Sequence, residues 1–352
     1  MQLKLSTLAA TAALLASANV LAQSSVTVYG LVDSGIEIIN NAPDAAKKPV
    51  SLSRLDSGNL YGSRIGFRGE EDMGGGLKAV FVLENGYSVD TGATLQGARL
   101  FGRQGYVGLK GNWGSLLLGR QNSLMLEWMS KYNTMENATW SSKVHDGAFS
   151  DRIDNAIKYV GKFDAVDVSA YYSTGFDSTK GGEVAGHGKA GREVGLGVQY
   201  NGGALRAALA FDQKNGQTAL LENDTDKHAT FGLRYLIGDA ELLGGYLRRK
   251  QESASAATID TDLAWLGLNY RIAPQFLVSG SWYHTEVKNS NKNPTSYITM
   301  LRYSVSKRTD LYLINSYAKN KNGSALGVNG FNVDIVAGTN QFGTMAGISH
   351  MF

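Results

Sequence analysis

The chain contains no cysteine, which removes disulfide staples, thiolate metal sites and cysteine nucleophiles together. Proline is scarce, with four in 352 residues, so few strand ladders need be interrupted. Beyond a short N-terminal run, no apolar stretch approaches the roughly 18–20 residues that a membrane-spanning helix requires. A large excess of charge of one sign is missing too. The formal net charge is +3 with no Lys/Arg block, which argues against nucleic acid as a partner. His145, His187, His228, His284 and His350 are scattered, with no His-x-x-x-His or Glu-x-x-His spacing suited to a metal. Neither a Gly-x-Ser-x-Gly elbow nor a Walker A loop is present. No metal, cofactor or catalytic set is expected.

What is abundant is glycine (43) and tyrosine (17), which suits many tight turns joined by strands. The apolar residues alternate. Val194, Leu196, Val198 and Tyr200 oppose Glu193, Gly195, Gly197 and Gln199; Ala229, Phe231, Leu233, Tyr235 and Ile237 oppose Thr230, Gly232 and Arg234. Similar pairs recur around Leu77–Glu84, Val166–Tyr172, Leu205–Asp212 and Ser296–Val305. A period of two means half-buried strands. Two segments, Val26 to Val32 and Asp310 to Tyr317, are apolar on both faces.

Connectors alternate between short and long. Short turns fall near 74–76, 112–114, 162–164, 201–203, 238–239, 273–274 and 307–309. Long polar loops fall near 40–60, 85–99, 123–151, 175–192, 213–226, 250–261, 286–295 and 319–340. Seven short turns and eight long loops delimit sixteen antiparallel strands with both termini on the short-turn side. Tyr106, Tyr159, Tyr200, Tyr235, Tyr270 and Tyr303 each stand a few residues before a short turn. Aromatics repeated at one depth predict an interfacial girdle, so the barrel is expected to cross a bilayer. A barrel crosses on alternate residues only, which is why overall hydropathy stays slightly polar.

The two ends agree. Lys4, the apolar run Leu8 to Ala16 and Val20-Leu21-Ala22 predict a signal peptide over residues 1–22, leaving residues 23–352 as one barrel. The final segment places Phe342, Thr344, Ala346, Ile348, His350 and Phe352 on one face, with Phe352 expected at the membrane interface.

Several segments together resemble the general porins of Gram-negative bacteria, and the β-proteobacterial branch in particular. They are Ser25-Val26-Thr27-Val28-Tyr29-Gly30-Leu31-Val32-Asp33, Ser63-Arg64-Ile65-Gly66-Phe67-Arg68-Gly69-Glu70-Glu71-Asp72, Gly102-Arg103-Gln104-Gly105-Tyr106-Val107-Gly108-Leu109, Leu118-Gly119-Arg120-Gln121 and the terminal Gly-x-x-His-x-Phe. Two departures from that branch are Ser349 and Met351 beside His350, where a basic residue is usual, and Val82 at a position often polar. The resemblance implies an all-β fold: a sixteen-stranded antiparallel transmembrane β-barrel, homotrimeric, with its third long loop folded into the lumen. It also implies residence in the cell outer membrane among lipid and lipopolysaccharide, and passive passage of small hydrophilic solutes and ions. Phe352 would belong to the signal for barrel assembly.

Candidate functional residues are the charges predicted on the inner face. Arg64, Arg68 and Glu70 oppose Ile65 and Phe67; Arg103 opposes Gln104 and Tyr106; Arg152 opposes Ile153; Lys78 and Glu84 oppose Phe81 and Leu83. On the lipid face an arginine at mid-depth costs about 2–4 kcal/mol, so these should face water. The resemblance implies that Arg64, Arg68, Arg103 and Arg152, with Arg120 beside them, form a basic ladder at a constriction supported by Glu84. The loop 123–151 would face that ladder with Glu127, Glu136, Asp146 or Asp151, and the excess of cations predicts a modest preference for anions. An adhesin-like or enzymatic barrel with a plugged lumen is the alternative, and conductance in a planar bilayer separates the two.

Overall fold

A computed structural model describes residues 25–330 and 334–352; the expected signal peptide lies outside the described residues. Seventeen strand segments form one antiparallel sheet: β1 Ser25–Pro43, β2 Pro49–Ser57, β3 Arg64–Gly74, β4 Leu77–Gly86, β5 Gln104–Gly111, β6 Gly114–Asn122, β7 Arg152–Phe163, β8 Val166–Ser173, β9 Glu193–Gly202, β10 Leu205–Asn215, β11 Thr225–Ile237, β12 Ala240–Glu252, β13 Ile259–Ala273, β14 Phe276–Val287, β15 Thr295–Ser304, β16 Thr309–Lys319 and β17 Gln341–Met351. The sheet closes where β1 pairs with β17, Leu31 opposite Met351 through Ile39 opposite Gly343. Phe352 finishes the seam, exchanging backbone hydrogen bonds with Gly30 (3.1 and 3.2 Å). Closure leaves no unpaired edge for lipid to face.

Seventeen segments make sixteen staves because β2 and β3 share one side of β1. β2 pairs with Ser34 to Pro43 and β3 with Ser25 to Leu31. The interruption is residues 58–63. The expected first loop, 40–60, is therefore too long at one end and misses the break at the other: β1 runs to Pro43 and Pro49–Ser57 is strand. The seven short turns and the other long loops lie where the sequence put them, to within a few residues.

The alternation is inverted relative to a water-soluble sheet. On β9 Leu196 is 59% exposed while Gln199 is 8% exposed, so apolar side chains face outward and polar ones inward, as lipid outside and water inside require. Tyr200, Tyr235, Tyr270 and Tyr303 are exposed near the short turns, and Phe276 stacks on Tyr303 at 4.7 Å. Tyr106 departs from the expected girdle. It lines the lumen cavity with Tyr29, Arg68 and Gln104, so Gln104 and Tyr106 face inward rather than opposite Arg103. Arg103 lies just before β5 begins, where the two-residue period does not yet hold.

The core is inside the barrel, between wall and inserted segment. Residues 123–151 contain a short helix α1, Leu124–Glu127, capped by Ser123 Oγ accepting from the Leu126 N–H at 3.2 Å. It is too short to stand alone and is held by packing, with Leu124, Met125, Trp128, Met129, Tyr132, Met135, Trp140 and Phe149 all buried. Inward glycines make room. A Cβ at Gly232 would meet Tyr132 at 2.6 Å, and one at Gly267 would meet Thr134 at 2.3 Å. Inward Tyr312 and Ile314 on β16 and Met345 on β17 belong to the same core, which explains why Asp310 to Tyr317 reads as apolar on both faces.

Candidate channel constriction

The bare wall opposite the packed loop carries several of the charges expected to face inward. On β3, Ile65 and Phe67 point out and Arg64 and Arg68 point in, with the Arg68 guanidinium 5.2 Å from the Tyr29 ring centroid. Strand register sets Gly66 beside Glu84, and Glu84 beside Gln104. Glu84 is nearly buried and organises its neighbours: its carboxylate accepts from Arg103 Nε at 2.7 Å and from the Tyr29 hydroxyl at 3.0 Å. Arg152, at the start of β7, lies within electrostatic reach of Arg103, Arg120 and Arg64 as well as Glu84. Its Nε is buried and has no hydrogen-bond partner among the described residues. Arg64, Arg103 and Arg152 therefore gather around one carboxylate, and low-dielectric walls leave their repulsion only partly relieved.

Other candidates lie elsewhere. Arg120 is ion-paired to Asp154 and donates to the Gly102 carbonyl at 2.7 Å, so its charge is largely balanced. Asp154 also holds Arg99 at 3.0 Å and the Ser178 hydroxyl at 2.7 Å. The alternation that paired Arg152 with an outward Ile153 fails here. The register shifts between Gly119 and Gln121, Asn155 adopts φ 50°, and Ile153 and Asp154 are both buried. Glu70 sits between Lys78 and Lys110, 3.0 Å from each, toward the short-turn end.

On the inserted segment the carboxylates separate. Glu136 is exposed and lines one cavity with Tyr61, Arg64, Arg302 and Asp310. Asp146, expected to face the pore, is instead buried: it accepts from the Ala148 N–H at 2.9 Å and lies 3.7 Å from His228 Nε2 and 3.8 Å from Arg249. Glu127 pairs with Lys158 and Asp151 with Lys214. His145 shares hydrogen bonds with Thr285 (2.8 Å) and Ser296 (2.7 Å) through its two ring nitrogens, and burial holds its imidazole down at about 3. Lys143, which the sequence showed only as a loop charge, donates to the Asn137 carbonyl at 2.8 Å. Enclosure by the wall, then the nearby Arg152 and Arg103 charges, lowers its ammonium to about 7.

Cations thus stand on one inner wall, and Glu136 of the inserted segment lines a cavity with Arg64 and Arg302. The sequence profile described as Gram-negative porin matches residues 9–323. Outer membrane porin protein 32 of Delftia acidovorans is 31% identical over 98% of this chain and 99% of its own length. An outer membrane porin of Bordetella pertussis is 29% identical over 85% of this chain and 90% of its own. Among solved structures, the anion-selective porin from Comamonas acidovorans superposes with a TM-score of 0.80 at 28% identity, covering 94% of this chain and all of that one. OmpF of Salmonella typhi shares the fold at 13% identity and a TM-score of 0.63. Closed barrel, inverted alternation and a family match across most of the chain agree: this protein belongs to the Gram-negative porin family and resides in the outer membrane.

Proposed function

We propose that the barrel is a passive diffusion pore for small hydrophilic solutes and ions that prefers anions modestly. The observation that carries the reading is the cluster of Arg64, Arg103 and Arg152 around the single carboxylate of Glu84. Lys143 adds to it from the loop, and Glu136 subtracts from it. Within a waist narrower than about one Debye length, ~8 Å in physiological salt, such charges are only partly screened. Solutes then cross by diffusion, and the transverse field sorts them without tight binding. Reversal potentials across a planar bilayer in a salt gradient test this. Anion preference should grow as salt falls, whereas cation preference would mean that loop carboxylates dominate. A silent bilayer would favour a plugged barrel.

The assembly we propose is a homotrimer embedded in lipid and lipopolysaccharide. β1 presents Val26, Val28, Ile36 and Ile38 outward beside Phe342 and Ile348 of β17, an apolar strip along the closing seam that suits protein contact. Closure in three equal steps and an SDS-resistant trimer are expected; a monomer in native micelles would overturn the assignment. Export would remove residues 1–22, giving a mature chain that starts at Gln23 by N-terminal sequencing. Phe352→Ala should lower outer-membrane yield if that ring is part of the assembly signal, and unchanged yield would make it a seam residue only.

A further inference from the structure

Asp33 stands on β1, inside the barrel and fully buried, yet no ion pair reaches it among the described residues. Its carboxylate is satisfied instead by neutral donors. The backbone N–H groups of Asn59 (2.7 Å), Leu60 (3.4 Å) and Tyr61 (3.3 Å) donate to it, as does the Tyr312 hydroxyl (3.0 Å). Its main chain is engaged as well: the Asp33 carbonyl accepts from the Gly58 N–H at 2.9 Å and from the Ser63 hydroxyl at 3.1 Å, and the Asp33 N–H donates to Ser63 Oγ at 3.0 Å. The whole 58–63 break between β2 and β3 is thus wrapped around one residue. Burying a carboxylate without a counter-charge is costly, and here four hydrogen bonds, from the Asn59, Leu60 and Tyr61 N–H groups and the Tyr312 hydroxyl, offset that cost and tie the break to β1.

What the break holds is the tip of the inserted segment. The Thr139 N–H donates to the Asn59 carbonyl at 2.7 Å, and its hydroxyl donates to the Gly58 carbonyl at 3.1 Å. Glu136 lies three residues before Thr139 and Lys143 four after it. The two loop charges that meet the bare wall are therefore fixed from this latch. We propose that Asp33 is a positioning residue of the pore: by holding the 58–63 break it anchors the loop tip at Thr139, and so keeps Glu136 and Lys143 at a set distance from the arginine wall. This deepens the pore reading and rests on it.

Asp33→Asn tests the assignment with the shape kept. The carboxamide has one accepting oxygen, so its NH2 faces backbone donors. Losing a charge-assisted contact of this kind should raise the population of a released loop about tenfold. Single-channel records of D33N should lose the steady open level for fluctuating sublevels, while trimer stability in SDS stays that of the native protein. Thr139→Val, which removes only the hydroxyl contact, should act in the same direction and less. The double variant should be noisier than D33N by less than the full T139V effect, because both changes act on one latch. Steady openings in folded D33N overturn the proposal, as do additive effects, which would mean that Asp33 acts apart from Thr139. Should D33N fail to assemble, T139V decides alone, and steady openings there overturn it. A native protein that does not conduct at all would refute the pore reading instead.

Discussion

Two inner walls of this barrel carry the same two-residue alternation and use it differently. The wall from β9 to β17 is covered by the inserted segment. Many of its inward positions are small or apolar, as at Gly232, Gly267, Ile314 and Met345, and several of its charges are paired: Lys214 with Asp151, Arg249 with Asp226, Arg234 with Glu241. The wall from β3 to β6 is bare, and there Arg64 and Arg103, with Arg152 at the start of β7, share Glu84. The covered wall favours packing and pairs much of its charge. The bare wall keeps its field at some cost in repulsion. On the proposed reading, the field that sorts ions sits where like-charge repulsion is least relieved.

The comparison breaks most sharply by reversing the bare wall. Arg64→Glu with Arg103→Glu moves the local charge by four units, and the reversal potential should change sign, from anion to cation preference. The SDS-resistant trimer should persist, because the loop packs on the other side. Retained anion preference would relocate the selectivity to Arg152 and Lys143.

Changing the covered wall should instead alter loop placement. Gly267→Val puts a branched side chain where a Cβ alone would approach Thr134 at 2.3 Å, and overpacking of this kind typically costs about 1–3 kcal/mol. A lower thermal transition and a changed conductance with the sign of selectivity kept are expected. A variant that melts and conducts like the native channel would mean that the segment yields without strain.

Most of the barrel is legible in sequence because period two, turn residues and girdle aromatics are local signals. Tyr200, Tyr235 and Tyr270 stand out of the wall where their spacing put them. The failures share a cause: tertiary contacts broke the period. Tyr106 turned inward beside Tyr29 and Arg68, Ile153 and Asp154 were both buried at a register shift, and the 58–63 break formed around Asp33. Arg64, Arg103 and Arg152 could be expected on the inner face because an arginine cannot cheaply face lipid, and Glu84 beside them by alternation along its strand. Asp146 was misplaced, since nothing in a polar loop's composition distinguishes a carboxylate aimed at the pore from one folded back against His228 and Arg249.

A smaller effect should follow from the balanced edge of the bare wall. Asp154→Asn removes the charge that Arg120 and Arg99 share, leaving Arg99 with Asp177 at 3.3 Å. Anion preference should rise, by less than the double reversal lowers it. The thermal transition should fall, because a buried, multiply bonded carboxylate is lost at about 1–3 kcal/mol. If selectivity is unchanged, the Arg120 charge does not reach the permeating ion.

The smallest expected effect is a dependence on pH. Enclosure, with Arg152 and Arg103 nearby, lowers the Lys143 ammonium to about 7, so it is charged below that pH and neutral above. His145 lies at about 3 and stays neutral across the same range. Raising the pH from about 6 to 8 should therefore remove up to one positive charge from the loop side of the waist, and anion preference should decline modestly. Stability moves the other way. The folded state holds this proton less tightly than the unfolded chain, so the penalty is complete below pH 7 and is relieved as pH rises from there. Lys143→Gln isolates the group: its reversal potential should be lower than that of the native channel at pH 6 and nearly flat up to pH 8. A native channel with equally flat selectivity would mean that Lys143 keeps its proton in the water-filled lumen, and that the bare wall alone sets the field.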